Sequence, residues 1–551
     1  MAEAEFQSEI WEEDEEDEEA EIMRQLRSKA TKLLLGEEWS ECIHVYSQFI
    51  SLCNSHISRL HLNPSSDRLS KLSKSLCVAL CNRAESHFRL RQFQPALQDC
   101  DEALKIENPN FKALLCKGKI FLSLDRYTLA LGCFREANLG VHDAENGEIL
   151  NGFLEKCKKL ESLSKTGGFD LSNWVLNIDK VPDLAEYLGP VEIKKSEISG
   201  RGLFATKDVE CGTLFLVTRA VAIERGIMSQ NLEKSQLVNW NNFTDKVLQL
   251  ASKCNRIRDL LSTLSIGENE DSLDVPDLNL FRPGAGYSRF PGQNLDMERI
   301  FNVLDVNSLV EQTISAKVLG KNCHYHGIGL WLLTSFINHS CEPNTRRFHV
   351  GEHVLVHASR DIKTGEELTF AYFDVLSPYS AREVKSKGWG FVCKCKRCTV
   401  ESVLYSNQEL QVIEVLLKKG LDMGELVYRL EDGMRRWMVR GRVRGYLRAS
   451  FWGAYSEVLV SEKLRKKWGC KIPPNETLVD SLVSAVGCDE RIVKAAGFGG
   501  QKRNINGHGG GCEILDMDRR ALKLWRGLYG KVMKKQALKY LLKLELLDGR
   551  S

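Results

Sequence analysis

The sequence predicts a multidomain α+β protein, with an α-helical repeat region at the N-terminus, a β-rich domain in the middle and a helical domain at the C-terminus. Three observations lead to this prediction. Apolar residues recur at an interval of 34 positions in the first third of the chain, short apolar runs with turn residues between them follow Gly167-Gly168, and helical periodicity resumes after Cys398. With 551 residues, the chain is also too long to fold around one hydrophobic core.

The composition is that of a globular protein without a strong overall charge. Lysine and arginine number 76 and acidic residues 74, so the formal net charge of +2 attracts the chain neither to nucleic acid nor to an anionic membrane. The 18 cysteines are scattered, and many fall in apolar helical patterns, which is typical of intracellular proteins. No apolar run approaches the ~20 residues that span a bilayer, and the acidic N-terminus does not resemble a signal peptide. We therefore expect a location in the nucleus, the cytoplasm or both.

Residues 1–21 contain an acidic run from Glu12 to Glu19. We expect a solvated, disordered tail, because like charges at this density repel one another and few apolar side chains are present to form a core. The alternative is a segment that binds a basic partner such as a histone.

Residues 22–165 contain the repeated pattern. Comparison of 79–104 with 113–138 superimposes aromatic, small and leucine positions: Phe93 on Tyr127, Ala96 on Ala130, Leu97 on Leu131, Ala103 on Ala137, and Leu90 on Leu124. The pattern resembles the tetratricopeptide repeat, in which small residues let two antiparallel helices approach and an aromatic fills the gap between them. A degenerate copy covers about 22–53, and 146–164 is predicted to be a capping helix. Such a solenoid serves either as a spacer or as a groove for the peptide tail of a partner.

Four short motifs carry the chemistry of the central region. In chain order they are Gly200-Arg201-Gly202-Leu203, Asn338-His339-Ser340-Cys341, Glu367-Leu368-Thr369-Phe370-Ala371-Tyr372, and the run with Cys393, Cys395 and Cys398. Three cysteines within six residues predict a Zn²⁺ site, since zinc takes four thiolates tetrahedrally and one turn supplies several of them. Cys341 is the candidate for the fourth ligand. Cys323 with its neighbours His324 and His326 is a competing ligand cluster, which we expect to be a feature of a loop or a helix end instead.

The order of these motifs resembles that of SET-domain protein-lysine methyltransferases, and the form Asn-His-Ser-Cys-Glu-Pro-Asn that begins at Asn338 is similar to the SMYD group. The combination with tetratricopeptide repeats resembles a plant-type repeat-plus-SET arrangement. The resemblance implies a SET domain at 188–375, with an insertion at about 217–320, and a zinc-bound post-SET segment at 376–400. The sequence departs from the SMYD pattern in one respect, because it has no MYND zinc finger between the two SET halves.

The resemblance implies small β-sheets tied by a pseudoknot-like crossing, with S-adenosylmethionine and the substrate entering from opposite faces. The residues that it assigns to cofactor binding are Gly200, Arg201, Gly202, Leu203, Asn338, His339, Tyr372 and Phe391. The segment from Gly200 would meet the amino-acid end of S-adenosylmethionine, Asn338 and the main chain of His339 its adenosine, and Phe391 its adenine ring. Tyr372 is the implied catalytic residue, at the channel that joins the two faces.

Methyl transfer from a sulfonium to an amine is an in-line displacement, which needs alignment and the exclusion of water rather than a strong acid or a catalytic metal. The target lysine has to arrive neutral, and desolvation of its ammonium lowers its pKa. The hydroxyl of Tyr372 would then orient the amine. Four cysteine ligands leave no open position for water, so we expect the zinc at Cys341, Cys393, Cys395 and Cys398 to be structural.

After the zinc segment, 401–551 is predicted to be a helical domain, with helices at Asn407–Lys418, Met423–Trp437, Val443–Lys466 and Asp516–Leu547. The function that the resemblance implies is S-adenosylmethionine-dependent methyl transfer to lysine in a histone or another protein, with the repeats recruiting partners. The alternative is a repeat-based scaffold whose SET fold is weakly active or inactive. Direct nucleic-acid binding is disfavoured, because neither paired histidine ligands nor a basic recognition helix adjoin the cysteines.

Overall fold

The computed structural model describes residues 19, 21–60, 66–139, 144–177, 182–227, 232–267, 273–282, 296–311, 325–420, 422–498 and 519–548. The chain divides into two compact units, Met1–Ser162 and Leu163–Ser551. Nearly all of the predicted acidic tail lies outside the described residues, as do Cys323 and His324 of the competing ligand cluster.

Helices make up the described part of the first unit. They are 21–35 (α1), Trp39–Leu60 (α2), Ser66–Arg89 (α3), Phe93–Ile106 (α4), Phe111–Ser123 (α5), Tyr127–Leu139 (α6) and Ala144–Thr166 (α7), the last of which ends in the second unit. They pack as antiparallel pairs, α3 with α4 and α5 with α6. The predicted small residues are buried in these pairs (Ala96, Ala103, Ala130 and Ala137). A Cβ on Gly118 of α5 would lie 2.7 Å from Cζ of Phe134 in α6, so the close approach requires glycine there. The predicted helical repeats are confirmed.

A left-handed residue occupies the same place in each repeat. Glu37, Arg91 and Asp125 have φ angles of 58°, 56° and 57°, and each precedes by two positions the aromatic residue that begins the next helix. The backbone N–H that follows each of them bonds to the carbonyl five residues earlier, at 2.8 to 3.0 Å: Glu38 to Leu33, Gln92 to His87 and Arg126 to Phe121. Because the same turn recurs at the same register, the degenerate N-terminal copy folds as the other two do.

The second unit contains the strands and the short helix Ser172–Leu176 (α8). The strands are Tyr187–Leu188 (β1), Val191–Lys195 (β2), Arg201–Ala205 (β3), Leu214–Arg219 (β4), Ala222–Ile227 (β5), Leu309–Val310 (β6), Tyr325–Leu330 (β7), Asn338–His339 (β8), Thr345–Val350 (β9), His353–Ala358 (β10) and Thr369–Phe370 (β11). They form small sheets in the orders β1-β4-β10-β9, β5-β7-β6, β2-β3 and β8-β11. The predicted β-rich central domain is confirmed.

The pair β8 and β11 joins two of the predicted motifs. It is parallel, with Asn338 opposite Thr369 and His339 opposite Phe370. The side chain of Asn344 strengthens this junction, because its Oδ1 accepts from the N–H of Thr369 at 2.7 Å and its Nδ2 donates to the carbonyl of Glu367 at 2.8 Å. The asparagine that ends the Asn-His-Ser-Cys-Glu-Pro-Asn form therefore ties the two segments of the implied crossing together.

The predicted insertion contributes helices to the same core as the strands. Leu232–Lys253 (α9), Asn255–Ser262 (α10) and Met297–Asn307 (α11) lie between β5 and β7 in the chain. Phe243 and Val303 from these helices are fully buried in one hydrophobic cluster with Leu203, Phe215 and Val354 from the strands. The described part of the insertion is therefore an integral layer of the domain.

The C-terminal helices belong to the same compact unit as the sheets. They are Tyr379–Gly388 (α12), Lys396–Leu404 (α13), Gln408–Lys418 (α14), Met423–Arg436 (α15), Arg442–Ser450 (α16), Trp452–Val460 (α17), Glu462–Trp468 (α18), Asn475–Val486 (α19), Glu490–Phe498 (α20), Arg519–Tyr529 (α21) and Lys535–Asp548 (α22). Hydrogen bonds tie them to strands: Arg346 of β9 donates to the carbonyl of Val486 at 3.1 Å. Across the described residues, no helix has the length and apolar character that crossing a bilayer requires.

Two of the predicted C-terminal helices are each divided in the structure. The prediction of one helix over Val443–Lys466 is wrong, because α16 ends at Ser450 with Phe451 as its C-cap. The backbone is also extended at Ser461, whose hydroxyl caps α18 by accepting from the N–H of Leu464 at 3.3 Å. The described part of the helix predicted over 516–547 likewise forms α21 and α22, and Gly530 between them has a φ of 73°. Helical periodicity of apolar residues continues across these breaks, so periodicity did not reveal them.

Two histidines of β10 are buried as neutral rings. His353 and His357 expose 8% and 0% of their surface. Burial lowers the pKa of His353 to about 3 and that of His357 to about 4, because a charged imidazolium loses its hydration there. Nε2 of His357 lies 3.3 Å from the carbonyl oxygen of Gly527, to which it donates as the Nε2–H tautomer.

We expect the free energy of unfolding to decrease as the pH falls from about 6.5 toward 4, since the unfolded chain binds protons there while the native rings stay neutral. His357→Gln keeps a donor toward Gly527 but removes the titration. Between about pH 7.5 and pH 5, the stability of this variant, measured by urea unfolding, should fall by about 2 kcal/mol less than that of the wild type. An equal pH dependence of the two proteins would contradict the assignment.

Candidate active site and metal centre

The four predicted zinc ligands converge. The sulfur atoms of Cys341, Cys393, Cys395 and Cys398 all lie within 4.8 Å of one another. A tetrahedral zinc site with Zn–S bonds of about 2.3 Å requires sulfur atoms about 3.8 Å apart. Hydrogen bonds from the other three thiols hold the pKa of the Cys341 thiol well below its ordinary value. The donor set and its spacing therefore fit a structural Zn²⁺ with four thiolate ligands.

A buried ionic cluster adjoins the cysteines. Arg382 donates to the sulfur of Cys398 at 3.2 Å and pairs with Glu401. Arg397 also pairs with Glu401, at 3.3 Å, and donates to the carbonyl of Cys341 at 3.3 Å. The side chains of these three charged residues expose at most 1% of their surface. Two arginines and one glutamate leave one positive charge beside a tetrathiolate zinc site of net charge −2, which lowers the cost of burying that site.

The side chain of His339 connects the metal centre to Tyr372. Its Nδ1 accepts from the backbone N–H of Tyr372 at 3.0 Å, so the proton of a neutral ring is on Nε2. Nε2 lies 3.3 Å from the sulfur of Cys341, to which it donates. The ring also packs against Phe373 and Phe391, with centroids 4.3 and 5.5 Å away. The position of the Tyr372 backbone is thus tied to a zinc ligand through one imidazole.

A carboxylate organises the glycine motif. Glu367 accepts from the hydroxyl of Ser196 at 2.8 Å and from the side-chain amide of Asn338 at 2.7 Å. Burial raises the pKa of this carboxyl. A Cβ on Gly202 would overlap Oε1 of Glu367 and lie 2.8 Å from its Cδ. The second glycine of Gly200-Arg201-Gly202 is therefore required by the side chain of Glu367.

We expect Gly202→Ala to lower the free energy of unfolding by about 1–3 kcal/mol, because Glu367 has to give up its hydrogen bonds to make room. In a Glu367→Ala background the same substitution should cost much less, and urea unfolding of the four proteins measures this coupling. Gly388→Ala, whose Cβ would have nothing within 4 Å, is the control. Additive effects of the changes at 202 and 367 would argue against the steric explanation.

Two cavities meet at Tyr372. The first has a volume of about 250 Å³ and is lined by Arg201, Asn338, His339, Trp389 and Phe391, among others. The second has a volume of about 440 Å³ and includes Thr345, Arg346, Phe373, Asp374 and Arg491 in its lining. Three side chains line both cavities: Arg347, Phe370 and Tyr372. They form the wall between the cavities.

Aromatic rings surround Tyr372. The centroids of Phe370, Trp389 and His339 lie 5.3 to 5.4 Å from its own, and that of Phe391 lies at 6.1 Å. The hydroxyl of Tyr372 donates to the carbonyl oxygen of Ile337 at 3.0 Å. The hydroxyl uses its proton in this contact, and a hydroxyl oxygen can also accept hydrogen bonds.

The structure brings most of the predicted cofactor residues to one cavity. Arg201, Asn338, His339, Tyr372 and Phe391 line it. Gly200, Gly202 and Leu203 are not among its lining residues, and Leu203 is fully buried in the core. The side-chain amide of Asn338 donates to Glu367 at 2.7 Å and to the carbonyls of Ser199 and Arg201 at 3.1 Å each. The cofactor-binding roles of all eight residues stay predictions.

Sequence reasoning missed several contributors to this site. They are the imidazole of His339, the carboxylate of Glu367, the ionic partners Arg382 and Glu401, and the wall residue Arg347. One of them had a local signal, since Glu401 follows Arg397 by four positions and such pairs meet on a helix. The others come together from segments that are distant in the chain, so no spacing rule identifies them.

Residues 200–373 match the family model of the SET domain, and this predicted domain is confirmed. Over 401 residues the chain is 22% identical to a protein named methyltransferase from Gibberella zeae, covering 68% of this chain and 51% of the relative. It is 41% identical over 76 residues to the histone-lysine N-methyltransferase SMYD3 of Homo sapiens, covering 14% of this chain and 18% of the relative. The chain thus spans about half the length of the first relative and less than a fifth of the second.

Among solved structures, the chain is similar to the TPR domain of Arabidopsis OM64, with 26% sequence identity and a TM-score of 0.20. The match covers 25% of this chain and 98% of that domain.

Proposed function

We propose that this protein transfers the methyl group of S-adenosylmethionine to the side-chain amine of a lysine in a protein substrate, histone or non-histone. The observation that carries this proposal is the position of Tyr372, which lines two cavities and separates them. A reaction between a cofactor on one side and a lysine side chain on the other needs such a boundary. The SET domain at 200–373 supports the same assignment.

The cofactor would occupy the cavity lined by Arg201, Asn338, His339 and Phe391. When bound, S-adenosylmethionine supplies an electrophilic methyl group on a sulfonium. The lysine amine, neutral after losing its proton to solvent, would donate its lone pair to that carbon, with the C–S bonding pair going to sulfur. A proton is then released from the methylated nitrogen.

Tyr372 and the rings around it would act on the amine. The hydroxyl oxygen of Tyr372 would accept a hydrogen bond from an N–H of the lysine, which would aim the lone pair of the amine at the methyl carbon. Phe370 and Trp389 flank the tyrosine and would exclude water from the path of the transfer. The zinc at the four cysteines would hold the segment that carries Trp389 and Phe391 over the cavity.

The helical repeats of the first unit would recruit partners, and a concave groove for a peptide tail is the mode that we propose. A location in the nucleus, the cytoplasm or both agrees with a protein substrate. The mechanism proposed for methyl transfer depends neither on the partners of the repeats nor on the location of the protein.

Two measurements on the full chain test the proposal. Calorimetry with S-adenosylmethionine should give saturable binding with one site per chain. Incubation of cell extract with the protein and methyl-labelled S-adenosylmethionine should then transfer label to proteins, and mass spectrometry should find it on lysine. Cofactor binding without transfer would favour the scaffold alternative, and absence of cofactor binding would overturn the proposal.

A further inference from the structure

The second cavity contains an uneven set of charges. Its charged lining residues are three arginines and two aspartates, Arg346, Arg347, Arg491, Asp374 and Asp489. One positive charge is therefore in excess, in a cavity whose walls also include Phe370, Phe373 and Val375. The salt bridges among these residues determine which arginine carries the excess positive charge.

Arg491 engages both aspartates. It forms a two-pronged contact with Asp374, at 2.7 and 3.1 Å, and a second contact with Asp489 at 3.1 Å. These contacts hold the pKa of the Asp374 carboxyl below its ordinary value, although burial alone would raise it. Both carboxylates of the cavity are thus committed to one arginine, and neither pairs with Arg346 or Arg347.

Arg347 is an arginine without a counter-ion. Its guanidinium carbon lies 4.3 Å from the ring centroid of Phe370, and its Nε is buried with no hydrogen-bond acceptor. Within the described part of the chain no carboxylate forms a salt bridge with it. Loss of hydration lowers the pKa of this group to about 10; the phenol of Tyr372 acts against this shift, and the like charge of Arg346 acts with it.

We infer that Arg347, assisted by Arg346, binds a carboxylate of the substrate close to the target lysine, so that the protein selects lysines flanked by aspartate or glutamate. This inference rests on the proposed function, since it concerns the substrate side of the same site. A guanidinium presents its donors as a planar fork that matches a carboxylate, and a partly desolvated one gains more from such a partner than a hydrated one.

Charge also explains which substrates would be rejected. A lysine that approaches Tyr372 passes beside the guanidinium of Arg347, and further arginine or lysine residues in the peptide would add to the repulsion. An acidic neighbour neutralises Arg347 and removes that repulsion. The cavity therefore discriminates against strongly basic sequences as well as favouring acidic ones.

The carboxylate of the cofactor is a second possible source of the same chemistry, because Arg347 also lines the first cavity. Arg346 lines the second cavity alone and donates to the carbonyl of Val486 at 3.1 Å, which fixes its position there. Arg346 and Arg347 are adjacent, and neither forms a salt bridge with a carboxylate among the described residues. The second cavity is the one that both of them line, so the substrate is favoured as the source of the carboxylate.

The test uses the full chain with saturating S-adenosylhomocysteine and fluorescent peptides with one central lysine, whose two neighbours on each side are Glu, Ala or Arg. Fluorescence anisotropy gives the affinities. Wild type should bind the Glu peptide at least about tenfold more tightly than the Ala peptide and the Arg peptide most weakly. In Arg347→Met the affinities for the Glu and Ala peptides should differ by no more than about twofold, and Arg347→Lys should retain part of the preference for the Glu peptide.

The control is Arg429→Met, which removes a half-exposed arginine from a helix that lines neither cavity and should keep the full preference. Thermal unfolding of each variant, together with its affinity for S-adenosylhomocysteine, establishes that the fold is intact. A tenfold loss of S-adenosylhomocysteine affinity in Arg347→Met with an unchanged peptide preference would assign the arginine to the cofactor and overturn the inference. Equal binding of the Glu and Arg peptides by wild type, or no measurable peptide binding, would overturn it as well.

Methyl transfer to the same peptides separates this inference from the proposed function. Preference for the Glu peptide in binding, with no transfer to any peptide, would support the acidic selectivity and count against the enzyme. Transfer that is indifferent to flanking charge would do the reverse.

Discussion

Tyr372→Phe is expected to lower kcat for methyl transfer by roughly 100-fold, with the affinity for S-adenosylmethionine changed less than about threefold. The hydroxyl is the only polar atom that the substitution removes. In the proposed mechanism this atom aligns the amine in the transition state, while the ring that packs among Phe370, Trp389 and Phe391 stays. The expected loss is therefore in kcat and not in cofactor binding.

Single-turnover transfer from labelled S-adenosylmethionine and calorimetric titration measure the two quantities separately. Removing the hydroxyl also deletes its bond to the carbonyl of Ile337, so a stability loss of about 1 kcal/mol is expected and should be measured by thermal unfolding. Tyr428→Phe, on a helix that lines neither cavity, is the matched control and should retain full activity. If the Tyr372→Phe variant kept the kcat of the wild type, the role proposed for Tyr372 in the mechanism would be wrong.

Cys398→Ser is expected to abolish zinc binding and to lower the free energy of unfolding by at least roughly 3 kcal/mol. The sulfur atom is buried, and Arg382 donates to it at 3.2 Å. Without the ion, the positive charge of the cluster formed by Arg382, Arg397 and Glu401 loses its counter-charge in a place that water does not reach. The cost then includes the burial of this cluster as well as the lost metal bonds.

The purified wild type should contain one zinc ion per chain by elemental analysis, and the variant close to none. We also expect the variant to bind S-adenosylmethionine at least tenfold more weakly, because the zinc ligand Cys341 positions His339 and thereby the backbone of Tyr372. Cys470→Ser, which changes an exposed thiol, is the control for the loss of a cysteine as such. Full zinc content in Cys398→Ser would exclude this cysteine as a ligand.

The parts of the fold that depend on short-range pattern could be predicted. Aromatic residues at 93 and 127 begin equivalent helices because the residue two positions earlier takes the same left-handed conformation, and this relation recurs 54 positions upstream at Glu37 and Trp39. The division of 443–466 into three helices could not be predicted from periodicity, because the break at Phe451 leaves the apolar pattern continuous. A turn can be predicted from the sequence when it has a local steric or capping signal, whereas a helix break imposed by tertiary packing cannot.

The candidate site divides in the same way. The spacing of cysteines 393, 395 and 398 is enough to predict a metal site, because three thiols within six residues seldom serve another purpose. The choice of Cys341 as fourth ligand came from a motif, and the structure brings its sulfur within 4.8 Å of the others. The resemblance assigns Gly202 to cofactor binding, and the structure adds that a Cβ at this position would meet the carboxylate of Glu367. A glycine marks a close approach without naming what approaches.

The sequence by itself determined the kinds of chemistry present: helical repeats, a β-rich domain with the order of motifs found in SET proteins, and a set of four thiols. Those properties depend on residue type and on spacing along the chain. Only the tertiary structure decided which side chains meet, including the imidazole that links Cys341 to Tyr372 and the guanidinium of Arg347, whose Nε has no hydrogen-bond acceptor among the described residues, in the wall between two cavities. The physical reason is that charge pairing and burial depend on distances through space, and segments far apart in the chain set these distances only after they have packed.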